Sequence, residues 1–97
     1  MTKKSSNKKA LHIFVHGRVQ GVGFRAWTAG LARSLRLTGT VRNTENRNCV
    51  EIFVEGADTE LAEFISAVKH EHPYAKVDSL EKNEVKPINF KRFSIEK

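Results

Sequence analysis

The apolar residues of this chain change their period part-way along, and that change restricts the fold more than any other feature. Leu11, Ile13 and Val15 alternate with His12, Phe14 and His16, the period of two expected of a strand with one apolar face. From Phe24 onward the spacing shifts: Phe24, Trp27, Thr28, Leu31 and Leu35 recur at every third or fourth position, which predicts an amphipathic helix to about Leu35 with Arg33 and Arg36 near its end. The β-branched run "TGTVRNT" and the alternating "CVEIFVEG" then flank the polar turn "ENRN", so these two strands read as a hairpin. Leu61, Phe64, Ile65 and Val68 return to helical spacing. Asp58 is the expected N-cap of this second helix, and Pro73 ends it, with Lys69 and His70 in the last turn. "AKVDSLEKNEV" reads as a fourth strand and "FKRFSIEK" as a short terminal one, with Pro87 between them.

The order β-α-β-β-α-β plus a final short strand predicts an α+β, ferredoxin-like sandwich. Two helices on one face of an antiparallel sheet would cover the apolar stripes. With 97 residues, 39% of them hydrophobic, there is material for one compact domain and no room for a second. That domain is assigned to residues 10–97. Most of the +6 net charge falls on Lys3, Lys4, Lys8 and Lys9, so residues 1–9 are expected to be a disordered basic tail that keeps the chain soluble. No apolar run approaches the roughly 20 residues that cross a bilayer, and the first residues lack the apolar stretch of a secretory signal. Cys49 is the only cysteine and can form no internal disulfide. A cytoplasmic protein fits these features.

Between the first strand and the first helix lies "VHGRVQGVGFRAW", Val15 to Trp27. A helix leaves its first N–H groups without partners, and most sequences supply Ser, Thr, Asp or Asn to accept from them. Arg18 to Gly23 contain none of these, and Arg25 adds a positive charge to the positive end of the helix dipole. An external oxyanion resolves both anomalies. Glycines at positions 21 and 23 allow successive N–H groups to converge as a nest. The guanidinium of Arg25 offers a planar fork that meets two phosphate oxygens. The bland alternative is a tight glycine turn with an exposed arginine.

With these residues assembled, the chain resembles the acylphosphatase family. "GRVQGVGFR", Gly17 to Arg25, is similar to its first signature over nine contiguous positions, and "GTVRN", Gly39 to Asn43, to the start of its second. "VEIFVEG" and "HPYAKVD" resemble the strand that follows and the passage into the fourth strand, so the similarity runs from about Leu11 to Ile95. The resemblance implies hydrolysis of small acyl phosphates to a carboxylate and inorganic phosphate without metal or other cofactor. It implies that Arg25 binds the phosphate, that the amides of Gln20, Gly21, Val22, Gly23 and Phe24 form the cradle beside it, and that Asn43 holds the attacking water. Three positions depart from the family pattern. Thr40 replaces a residue that is usually aromatic, the chain ends "FSIEK" where many relatives finish with an aromatic ring, and "TENRNC" is one residue longer and lacks the turn glycine. The extra residue either sits in the hairpin tip or displaces Asn43.

Other residues read as structural. His12 and His16 share a strand face with Phe14, and His70 and His72 lie at a helix end. Cys49 reads as a small strand residue, and Glu51 and Glu55 as a solvated strand face. The expected particle is a monomer with no membrane or nucleic-acid partner. Two other readings stay open: an acylphosphatase-like domain that binds anions with little catalysis, and a nucleic-acid module using Phe14 and Phe53 on the sheet.

Overall fold

The computed structural model describes residues 8–96. Strand β1 (Lys8–Arg18) leads to helix α1 (Phe24–Ser34), then to strands β2 (Thr38–Asn43) and β3 (Cys49–Ala57), helix α2 (Asp58–His70), and strands β4 (Lys76–Val85) and β5 (Phe93–Glu96). The sheet order is β4-β1-β3-β2-β5. β1 pairs antiparallel with both β3 and β4, and β2 antiparallel with β3, which gives the ferredoxin-like arrangement.

Two boundaries and one pairing differ from the sequence reading. β1 begins at Lys8, opposite Ala57, so Lys8 and Lys9 belong to the sheet rather than to the tail; residues 1–7 of that assignment lie outside the described residues. Asp58 is not the cap of α2 but its first residue. Ala57 occupies the N-cap in an extended conformation with no side-chain hydrogen bond, and Asp58 and Glu60 instead place acid in the first turn, where it meets the positive end of the dipole. Finally, β5 runs parallel to β2, pairing Gly39 with Phe93 and Val41 with Ile95, so the five-stranded sheet is mixed. A strand that returns to the edge from the far side of the sheet carries no local signal of its direction.

The core lies between the helices and one sheet face. Ile13, Val15, Val41, Val50, Ile52, Val54 and Phe93 meet Phe24, Ala29, Ala32, Leu61, Phe64, Ile65 and Val68 there, all of them buried. Each large side chain so buried contributes roughly 1.5–3 kcal/mol, and together they fix α1, and thus its N-terminus, against the sheet.

The opposite face holds the largest departure from expectation. Glu51 is only 8% exposed and Glu55 only 2%, so neither belongs to a solvated face. Glu55 accepts hydrogen bonds from the backbone N–H groups of Ile88 (2.5 Å), Asn89 (3.0 Å) and Phe90 (2.9 Å), and Lys8 Nζ stands 3.8 Å from its Oε1. The carboxylate thus anchors the connection between β4 and β5 across the sheet. Glu55→Ala should leave these amides without their acceptor at a cost of about 2 kcal/mol or more, a fall in Tm of roughly 8–16 °C for a chain of this size, read by thermal unfolding.

Glu51 accepts from His12 Nε2 and from Arg42 Nε, both at 2.6 Å. A carboxylate can only accept, so the shared proton sits on the His12 nitrogen. The His12 ring stacks on Phe53 with centroids 4.1 Å apart and planes within 3°. Burial alone would raise the Glu51 carboxyl, but the hydrogen bonds from His12 and Arg42 outweigh it and hold the group below its ordinary value. A carboxyl depressed in the folded state contributes stability that is present above its unfolded pKa and is lost as the pH falls through the folded one. Glu51→Gln should therefore lower stability at neutral pH and flatten its loss on acidification, as followed by denaturant unfolding across the carboxylate range.

Candidate active site

The loop from Val19 to Gly23 turns the chain from the end of β1 into α1. Gly21 (φ 79°) and Gly23 (φ 74°) both lie in the left-handed region, which side-chain-bearing residues adopt at a cost of about 1 kcal/mol or more each. A Cβ at either glycine would meet nothing within 4 Å, so the requirement is torsional and the space above the loop is open. Gly23 is the N-cap of α1, makes no side-chain capping bond, and is followed by no acidic residue in the first turn. Its carbonyl accepts from Trp27 N–H at 3.1 Å, which closes the first helical turn and leaves the N–H groups before Trp27 at the uncapped end.

In front of these amides is a cavity of about 220 Å³ lined by Val19, Gly21, Gly23, Phe24, Arg25, Ala26, Asn43 and Ile95, several times the roughly 30 Å³ share of one liquid water. Arg25 donates from Nη1 to the carbonyl of Glu96 at 3.1 Å; among the described residues no carboxylate forms an ion pair with it. Asn43 is the last residue of β2 and pairs with Val50 in an unbroken ladder. Its Oδ1 is buried and has no hydrogen-bond partner among the described residues, a deficit worth about 1–3 kcal/mol if left unfilled. An uncapped helix start, an arginine with no carboxylate partner among the described residues, and Asn43 thus line one cavity.

Of the residues singled out from the sequence, Gly21, Gly23, Phe24, Arg25 and Asn43 line this space. Gln20 and Val22 do not. Gln20 belongs to a neighbouring, more open cleft of about 380 Å³ with Arg18, Val19, Gly21, Arg47 and Asn48, and Val22 packs against the edge of the core. The sequence reading missed Ile95, 42% exposed, which supplies an apolar wall beside Arg25. Its only signal is an isoleucine in the last strand, and the parallel pairing of β5 is needed to bring it there.

The hairpin tip is held by its own side chains. Thr44 Oγ1 accepts from Asn46 N–H at 3.1 Å, and Asn46 Oδ1 from Asn48 N–H at 2.9 Å. These side-chain turns shape the tip without a glycine, and Asn43 pairs with Val50 in the ladder. His72 proves structural: its Nδ1 accepts from the N–H groups of Tyr74 (3.0 Å) and Ala75 (2.9 Å), and its ring centroid lies 5.8 Å from that of the cavity-lining Phe24. Neither His12 nor His16 lines the cavity. Burial raises the Cys49 thiol, partly opposed by its hydrogen bond with Thr44, so it is a poor thiolate.

A ferredoxin-like scaffold thus presents an uncapped helix start and an arginine to one small cavity. The chain belongs to the acylphosphatase family, whose model matches residues 11–95. It is similar to an acylphosphatase of Treponema denticola, 52% identical over 88 residues that span 91% of this chain and 93% of that one. The crystal structure of acylphosphatase from Bacillus subtilis superposes with a TM-score of 0.87 at 38% identity, covering 92% of this chain and 99% of that chain. An acylphosphatase from Coxiella burnetii superposes with a TM-score of 0.90 at 29% identity, over 99% and 100% of the two chains. Among the described residues no helix is long and apolar enough to cross a membrane.

Proposed function

We propose that the chain hydrolyses the carboxyl–phosphate bond of small acyl phosphates at the cavity in front of α1, as a cytoplasmic monomer and without a metal. Arg25 and the amides of Gln20, Gly21, Val22, Gly23 and Phe24 hold the phosphoryl oxygens, and Asn43 holds the water. The observation that carries this reading is that Arg25, the uncapped start of α1 and Asn43 line one cavity.

The chemistry asks little more of the protein. Water oxygen bonds to phosphorus, the bond from phosphorus to the carboxyl oxygen breaks, and the electron pair leaves on a carboxylate, which is too weak a base to need an acid. What remains is to offset charge on the phosphoryl oxygens and to place the water in line. The guanidinium and amides supply the first as a preorganised anion hole. Asn43 Oδ1 accepts one water hydrogen and leaves a water lone pair free to face phosphorus. Being neutral, the amide does not repel the substrate. The water's proton passes to a phosphate oxygen, since among the described residues no titrating side chain lines the cavity apart from Arg25, and the acyl group lies against Ile95 and Ala26.

Turnover of benzoyl phosphate by the purified protein in excess chelator tests this reading. The expected result is saturable hydrolysis whose kcat shows no essential group titrating near pH 6 to 7. Phosphate binding with no turnover would leave an inert anion-binding domain.

A further inference from the structure

The side chain of Gln20 has a task of its own, distinct from the backbone amide that the proposed cradle uses. Its Nε2 donates towards the carbonyls of Cys49 (2.8 Å), Asn46 (2.9 Å) and Thr44 (3.3 Å). Gln20 sits in the glycine loop, next to Gly21, while these carbonyls belong to the hairpin tip that begins immediately after Asn43 and ends immediately before Val50, its ladder partner. Gly17 N–H also donates to the carbonyl of Asn48 at 2.9 Å, and β1 pairs with β3 as far as His16 and Cys49, but these contacts attach the tip to the end of β1 rather than to the loop.

We infer that the Gln20 carboxamide is a positioning residue that sets the distance between the phosphate-holding loop and the water-holding Asn43. The inference rests on the proposed function. A loop with two left-handed glycines loses much conformational freedom when it is fixed, and the hairpin tip is held by its own side-chain turns, which place it relative to β2 and β3 but not relative to the loop. Gln20 closes that gap. Its two hydrogens are shared by three carbonyls that bracket the tip, so a shift of either segment costs a hydrogen bond. In-line attack requires water and phosphorus held to a fraction of an ångström, and a displacement of about 1 Å can cost on the order of a hundredfold in rate. The tie accordingly acts on turnover rather than on anion affinity.

The test is a double-mutant cycle with Asn43→Ala, using benzoyl phosphate as substrate and inorganic phosphate as competitive inhibitor. Gln20→Met keeps the length and removes the donors. It should lower kcat by about tenfold or more and change the phosphate Ki by less than about threefold, at a temperature where thermal unfolding shows the protein folded. In the Asn43→Ala background the same change should lower kcat by less than about twofold, because the group being positioned is gone. Gln20→Glu, whose carboxylate would face three carbonyl oxygens, gives a second arm with the same coupling and a larger loss of kcat. Additive effects in the two backgrounds would overturn the inference, as would a rise in phosphate Ki with kcat unchanged. Failure of the proposed function looks different: either the wild-type protein does not turn over or Asn43→Ala alone leaves kcat untouched.

Discussion

Arg25→Ala should reduce kcat/KM for a small acyl phosphate by roughly a hundredfold to a thousandfold, the range for removing one donor group from a preorganised anion hole. The argument starts at the helix. α1 opens without a cap or an acidic residue, so its first amides offer partial charges but no full one. Among the described residues Arg25 is the one full positive charge lining the cavity. Its guanidinium is held at one end by the Glu96 carbonyl, which leaves the rest of the fork for the anion. Arg25→Lys should rescue poorly, because an ammonium on a flexible stem cannot meet both the carbonyl and two phosphate oxygens in one plane. Steady-state kinetics with benzoyl phosphate, paired with phosphate inhibition, separates the cases. Both substrate turnover and phosphate affinity should fall with Arg25→Ala, and near-full turnover would show that the anion is held elsewhere.

The second large effect is expected at Asn43, with a different signature. Asn43→Ala should lower kcat by roughly a hundredfold or more while inorganic phosphate binds almost as before. The residue lines the cavity at the end of β2, and its Oδ1, without a partner among the described residues, is an acceptor, suited to a water hydrogen and unsuited to a phosphate oxygen. Removing it relieves a buried polar group of its unmet hydrogen bond, so thermal stability should hold or rise slightly. A loss of phosphate affinity equal to the loss of kcat would instead make Asn43 part of the anion site.

Much of this architecture could be read from the residues. The change of period between Val15 and Phe24 marked the first strand and helix, and the same logic placed β2, β3 and α2. The missing cap before Phe24 pointed to an oxyanion with no structure at hand, because a capping residue is a local requirement and its absence is visible locally. Asn43 was different: nothing in its neighbourhood announced it, and only the family resemblance singled it out. Glu51 and Glu55 were misjudged because alternation assigns a side chain to a face but not what covers that face. Their cover comes from Arg42 one strand away and from residues 88–90, a separation of more than 30 positions in the chain. Ile95 and the parallel direction of β5 were hidden for the same reason, since both depend on a pairing between distant segments. The side chain of Gln20 was likewise silent, as its partners are backbone carbonyls whose identity leaves no trace in the sequence.

The central claim is that a phosphate sits between the loop amides, Arg25 and Asn43. Titration of inorganic phosphate into ¹⁵N-labelled protein tests it most directly. The prediction is saturable shifts concentrated on the N–H groups of Gly21 to Arg25 and on the Asn43 side-chain amide, absent in Arg25→Ala. Saturable shifts centred on the opposite sheet face around His12 and Phe53, or binding that Arg25→Ala leaves intact, would contradict it.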